Sequence, residues 1–341
     1  MKRCFIHSAV AISAQDTFYT EDFLNHAQGV SSSFANAIHP DYKKLISPVA
    51  ARRMATGVKM GVVAAKEALR EACITEPEAI LLGTGLGCIE DTEKFLNTII
   101  SNNEEYISPS AFIESTHNTV GARIALGMNC NSYNTTYVHG SASFESALID
   151  AQLMVCLENK KNVLVGGVDE LGKEFINYMS MLEASEKQGI TVPFGEGASF
   201  FILSSEDSEE GIELIAVELY EVIPEVAIAK KTEAFLNRNG LSSNDVDAFI
   251  SGHNGDAFDR YYQTLANSLF AEVPQLSYKH LSGEHYTASG FGFWAGYRIL
   301  KEQHIPQALI GSKAPERPVK TILLYNQIKG RSHSFILLSQ C

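Results

Sequence analysis

Apolar and polar positions along the chain fall into two recurring patterns. Short apolar runs read as buried strands, and longer stretches with apolar residues every three or four positions read as helices. Phe5–Ile12 reads as a first buried strand; behind Lys2 and Arg3 it also has the outline of a short signal peptide, but His7 and Ser8 interrupt it. From Arg53 to Ala72 the apolar residues Met54, Val58, Val62, Ala65 and Leu69 keep helical spacing. Ala79–Leu82 is then a strand, closed by Gly83-Thr84-Gly85-Leu86-Gly87, where glycines let a backbone approach another group closely. Val163–Val165, ended by Gly166-Gly167, and Ser199–Leu203 read as further strands.

The polar, acidic run Ser204–Glu210 breaks the pattern. Beyond it the order resumes: strand near Ile212–Leu219, helix near Ala227–Asn237, strand at Val246–Ile250, helix after Ala257, strands near Thr321–Leu324 and Phe335–Leu338. The chain therefore divides into two α/β halves, 1–205 and 206–341, and stacking them face to face would bury both sheets.

Composition narrows the partners. The 341 residues hold 27 Lys+Arg and 40 Asp+Glu, a net charge of −13, which disfavours nucleic acid or an anionic membrane as main partner. No apolar run approaches the ~18 residues of a membrane span. The six cysteines are scattered without a C-x-x-C, as expected for free thiols in a reducing, cytoplasmic setting.

Four places hold candidate chemistry. In Tyr137-Val138-His139-Gly140-Ser141-Ala142-Ser143-Phe144, small residues lie where a strand turns into a helix. Ser141 there is either a nucleophile at the positive end of the helix dipole or one serine of an N-cap. In Ser251-Gly252-His253-Asn254-Gly255, a strand delivers His253 to its C-terminal end, where ligands of α/β folds collect. In Tyr278–Gly290, Lys279, His280, Glu284 and His285 crowd ahead of a helix. A metal site of His280, Glu284 and His285 lacks a helical i, i+4 histidine pair, so no metal or cofactor is expected. Glu196, between Gly195 and Gly197, reads as a brace for loop backbone.

Together these segments resemble the β-ketoacyl synthases of the thiolase-like fold over nearly the whole chain. The resemblance is carried by Arg52-Arg53-Met54, Gly83–Gly87 with Glu93, Asn118–Ala125, Gly166-Gly167-Val168-Asp169-Glu170 and Gly195–Ser199. It implies a five-layered αβαβα architecture of two pseudo-duplicated halves. The family's active site is a Cys in Thr-Ala-Cys, a His in His-Gly-Thr, and a Lys and second His in Lys-Ser-x-x-Gly-His. Here the nucleophile position falls on Ser141, the first His on His253 and the Lys on Lys279. The second His falls on Glu284, with Gly283, Ala288 and Gly290 keeping the register; His285 is one residue off. The family's Gly-Phe-Gly-Gly gating loop is degraded to Ile328-Lys329-Gly330-Arg331-Ser332-His333.

A Cys at a helix N-terminus is readily a thiolate, whereas Ser needs a base. Each lost enolate donor costs about 3–4 kcal/mol by analogy with oxyanion holes. The resemblance therefore implies a non-elongating, chain-length-factor-like subunit of fatty-acid or polyketide-type synthesis, such as the aryl-polyene or flexirubin systems. Its expected partners are an active ketosynthase, in a heterodimer, or a second copy, together with an acyl carrier protein. Phe144 and Glu145 are then candidates for lining or blocking a substrate tunnel. A basic patch of Lys43, Lys44, Arg52 and Arg53 is a candidate carrier contact. Two active readings stand beside this one: an acyltransferase or hydrolase with Ser141 as nucleophile and His253 as base, or a condensing enzyme in which His285 swings in.

Overall fold

The computed structural model describes residues 2–52, 54–185, 189–208, 210–313 and 317–341. The first half supplies strands β1 (Phe5–Ile12), β2 (Ala79–Gly83), β3 (Tyr133–Tyr137), β4 (Val163–Asp169) and β5 (Gly197–Ser204). The second supplies β6 (Ile212–Tyr220), β7 (Ala248–Ser251), β8 (Gln275–Ser277), β9 (Thr321–Ile328) and β10 (Arg331–Gln340). The first half is ordered β3-β2-β4-β5-β1 and the second β8-β7-β9-β10-β6, each strand matched by the one five places later. The directions also match. The three strands on one side of each half run parallel, and the pairs β4–β5, β5–β1, β9–β10 and β10–β6 are antiparallel. The halves join edge to edge, with Phe5 opposite Glu213 and Leu214 N–H donating to the Cys4 carbonyl over 2.8 Å.

Both faces of the inner strands are apolar because both are covered. Ile80, Leu82, Phe200 and Ile202 pack outward under helix α1 (Thr56–Glu71), while Leu81, Phe201 and Leu203 point to the centre. In the second half Phe249, Leu323, Phe335 and Leu337 face outward, toward α7 (Ile228–Arg238) and α8 (Arg260–Ser268). Ile250, Leu324, Ile336 and Leu338 face the centre. The central layer is α5 (Ser143–Leu157) and α9 (Ser289–Glu302). This is the layered αβαβα thiolase-like architecture. As those five layers require, α5 and α9 lie between the strands of the two halves.

Three sequence expectations shift in detail. Helix α1 starts at Thr56, and Arg52 caps a short helix, Pro48–Ala51. Arg53 and Glu209, parts of the predicted helix start and of the acidic break, lie outside the described residues. Gly166 and Gly167 do not end β4 but lie inside it, because neighbouring groups occupy the space of their side chains. A methyl at Gly166 would meet Phe200 Cδ1 at 2.4 Å, and one at Gly167 would meet Thr287 Cβ at 2.9 Å.

The first half also holds α2 (Ile89–Ser101), α3 (Pro109–Glu114), α4 (Thr119–Met128) and α6 (Lys173–Ser185). Among the described residues no helix is long and apolar enough to cross a membrane. Crowding at Gly166 predicts that Gly166→Ala lowers stability by about 1–3 kcal/mol in urea unfolding, as overpacked cores do. Gly127 in α4 has nothing within 4 Å of an added methyl, so Gly127→Ala is neutral or stabilising by up to about 1 kcal/mol.

Candidate active site

The site forms where two equivalent connections meet, β3 into α5 and β8 into α9. The first carries Ser141 in a single 3₁₀ turn, Gly140–Ala142, entered through Gly140 at φ +55°. Neither serine caps the helix; Ser143 Oγ instead ties the turn together, accepting from His139 N–H at 2.8 Å and lying 3.0 and 2.7 Å from the Thr84 and Gly140 carbonyls. Ser141 is 7 % exposed, and its hydroxyl has no hydrogen-bond partner among the described residues. Among the described residues no base holds its proton.

His253 follows β7. Ser251 Oγ donates to the Leu276 carbonyl at 3.0 Å and lies 2.8 Å from His253 Nδ1. A serine hydroxyl has one proton and a carbonyl only accepts. This network therefore assigns the proton to Nδ1 and leaves Nε2 as a lone pair. The ring is tilted on Tyr262, centroids 4.6 Å apart. Burial lowers its pKa, Asp259 raises it and Lys279 lowers it further. The net effect is to keep His253 neutral. In that state its outer nitrogen accepts hydrogen bonds and does not donate them.

Lys279 lies in the short helix Lys279–Ser282 and is 1 % exposed. Its Nζ is 2.6 Å from Glu284 Oε2 and 3.0 Å from Asn254 Oδ1. Burial raises the Glu284 carboxyl; Lys279 pulls it back, and Asp256 and Asp169 push it up. His285 points elsewhere: its ring lies against Gly197, about 3.6 Å from where a methyl there would sit. Burial, aided by Lys279 and opposed by Glu196, pushes its pKa down to about 4. The carboxylate at 284, not the imidazole at 285, therefore faces the lysine. His280 is also committed, with Nε2 2.9 Å from the Ala308 carbonyl. Among the described residues no three metal-binding side chains converge.

Phe144 and Glu145 are both fully buried. Phe144 packs with Phe201 and Phe293 at centroid distances of 5.8 and 5.9 Å. Glu145 accepts from Ser334 Oγ at 2.9 Å, which ties the start of α5 to β10. Burial raises its carboxyl.

Three residues that sequence reasoning passed over help build the site. Asn254, in the Gly position of His-Gly-Thr, braces Lys279. Asp169 clamps two loops. Its Oδ1 accepts from Thr84 Oγ1, Gly85 N–H and Leu86 N–H at 3.1, 2.8 and 3.0 Å. Its Oδ2 accepts from Thr287 N–H and Oγ1 at 3.0 and 2.9 Å. Tyr286 lies between those loops. The signals were present: a polar residue in a glycine slot, an acid inside Gly-Gly-Val-Asp-Glu, and an aromatic among small residues.

Glu196 is a loop brace, its two oxygens accepting from Ala37 and Leu171 N–H at 3.1 Å each. The degraded gating loop is a two-residue hairpin turn, with Lys329 at φ +49° and Gly330 at φ +71° between the paired Ile328 and Arg331. Beside Glu284 is a small cavity of about 60 Å³, lined by Leu86, Phe175, Ile176, Met179, Tyr286 and Ile328 among others.

Residues 27–192 match the family described as β-ketoacyl synthase, N-terminal domain. The chain resembles the β-ketoacyl synthases in sequence over residues 27–192 and in fold over its whole length. A β-ketoacyl synthase from Burkholderia phymatum STM815 superposes with a TM-score of 0.80 at 15 % identity, over 100 % of both chains. The ishigamide ketosynthase/chain length factor gives 0.79 at 16 %, covering 100 % of this chain and 99 % of the other. A ketosynthase in complex with its chain length factor from Xenorhabdus doucetiae gives 0.75 at 16 %, covering 100 % and 98 %. At these identities the likeness is one of fold. No curated protein matches the sequence.

Two predictions follow from the geometry of this ketosynthase-like site. Removing one partner of a buried ion pair costs about 3–5 kcal/mol, so Lys279→Met should destabilise by that amount. Lys279→Met with Glu284→Leu should recover most of the loss in urea unfolding. For His285, the unfolded chain takes a proton first as pH falls from the ordinary value of 6.5 toward about 4. Stability therefore drops on acidification, by up to about 1.4 kcal/mol per pH unit from this group. His285→Gln should flatten the curve over that window.

Proposed function

We propose that the chain is a non-elongating, chain-length-factor-like subunit that pairs with an active ketosynthase in fatty-acid or polyketide-type synthesis, aryl-polyene or flexirubin pigments being the candidate pathways. The observation that carries this reading is the carboxylate of Glu284 on Lys279, at the position of the family's second imidazole. Condensation passes through an enolate that needs donors aimed at its oxygen. Glu284 brings negative charge to that place and occupies the lysine's charge. His253, with its proton on Nδ1, has no donor on Nε2. Ser141 has neither a thiolate's nucleophilicity nor a base. On this reading His253, Lys279 and Glu284 are retained as a packed, charge-balanced remnant.

The partner surface is the open edge of β3. Tyr133 on that strand, Leu126 on α4 and Phe112 and Ile113 on α3 are all exposed apolar groups. Beside them is a groove of about 760 Å³ lined by Phe95, Ile113, Leu126 and Arg123 among others. An unpaired strand edge flanked by apolar side chains is a surface that another chain can cover. The neighbours described as a ketosynthase/chain length factor and as a ketosynthase in complex with its chain length factor support a heterodimer as the assembly. A carrier protein in complex with its ketosynthase supports the third component. In this reading the carrier docks on the active partner, since a subunit of charge −13 does not attract an acidic carrier by its overall field.

A second reading keeps one supporting observation. The free lone pair on His253 Nε2 and the unbonded Ser141 hydroxyl are the two halves of a serine acyltransferase or hydrolase. No hydrogen bond joins them among the described residues.

Co-expression with an intact Cys-His-His ketosynthase and its carrier protein tests the proposal. The expected outcome is a stable complex, no condensation or malonyl decarboxylation by the isolated chain, and loss of the complex in Leu126→Asp with Tyr133→Lys. Robust condensation by the isolated chain overturns it.

A further inference from the structure

Tyr286 lies in the turn between Glu284 and α9, with its ring wedged between two glycine backbones. A methyl at Gly85 would lie 2.3 Å from Tyr286 Cβ and Cγ and 2.4 Å from Cδ2. On the other side, a methyl at Gly140 would lie 3.8 Å from Cε1 and 3.9 Å from Cδ1. Gly140 is the residue before Ser141. The ring therefore fills the space between the turn after β2 and the turn that carries Ser141, and Gly85 is small because Tyr286 needs its room.

The same ring is part of the wall of the apolar cavity beside Glu284. Much of the remaining wall is hydrocarbon, with Leu86 from the turn after β2, Phe175, Ile176 and Met179 from α6, and Ile328 from the end of β9, while Asp169, Glu170, Glu284 and His285 line the rest. About 60 Å³ remains. That is under half of the ~150 Å³ apolar cavity that takes one benzene, too little for an alkyl chain. The ring is also held in place. Asp169 bonds Gly85 and Leu86 on one side of it and Thr287, the next residue, on the other.

We propose that Tyr286 is an internal plug that separates Ser141 from the apolar cavity and closes that cavity to acyl chains. This deepens the proposed function, on which it rests for the ligand class: a subunit that does not load a chain keeps the shape of the acyl chamber but fills its entrance. Removing the ring joins the cavity to the Ser141 turn and creates room for a hydrocarbon tail.

Fluorescence titration of the full chain with cis-parinaric acid, a free fatty acid, tests the plug without requiring any activity. Tyr286→Ala is expected to bind the probe at least tenfold more tightly than the native chain. Tyr286→Phe, which keeps the ring, should match the native chain. Gly85→Ala reaches the same end independently, because its methyl cannot coexist with the ring where it stands; it too should gain at least tenfold. Equal affinity in the native chain and Tyr286→Ala overturns the plug. So does a gain in Tyr286→Phe as large as in Tyr286→Ala, or no gain in either opening variant when thermal melting shows it folded. These outcomes are separate from the condensation assay, which tests the subunit's role.

Discussion

A buried carboxylate is costly unless a cation accompanies it, and at Glu284 that cation is Lys279, itself 1 % exposed. The pair constrains everything near it. Lys279 cannot offer its full charge to a substrate, since Glu284 and Asn254 already take it. Burial keeps the imidazoles of His253 and His285 neutral, and the lysine's residual field lowers both pKa values in the same direction. Glu145, buried on the α5 side, also senses the same ammonium. One lysine thus balances acids contributed by both halves of the molecule.

Around that pair the scaffold is tightly braced. Asp169, at the end of β4, holds the turn after β2 to the turn before α9. Glu145 holds α5 to β10, and Ser251 fixes the tautomer of His253. On the proposed reading these contacts keep the geometry of a catalyst in place, while the groups that would perform the chemistry are a hydroxyl without a base, an imidazole without an outward proton and a carboxylate where a donor is needed. A fold can outlast its chemistry in this way because packing and chemistry are specified by different residues: the strands and central helices by apolar alternation, the site by a few positions at loop ends.

Much of this was legible in the sequence. The buried strands are apolar on both faces, so their runs of Ile, Leu, Val and Phe stand out without any alternation to decode. The register of Glu284 could be counted from Lys279 through Gly283, Ala288 and Gly290. Gly166 and Gly167 misled, because a glycine pair after a short apolar run looks like a strand end. Only the coordinates show Phe200 and Thr287 in the space that side chains would need. The tautomer of His253 and the wedging of Tyr286 were not legible, since both depend on groups distant in the chain: Leu276 for the first, Gly85 and Gly140 for the second. The five layers were legible only through the family resemblance, because helices that lie between two sheets look like any other buried helices.

The account stands or falls on whether Ser141 takes up an acyl group. Intact-mass spectrometry of the purified chain after incubation with a medium-chain acyl thioester measures this directly. The account predicts an unchanged mass. An acyl adduct that maps to Ser141 and disappears in Ser141→Ala would contradict it.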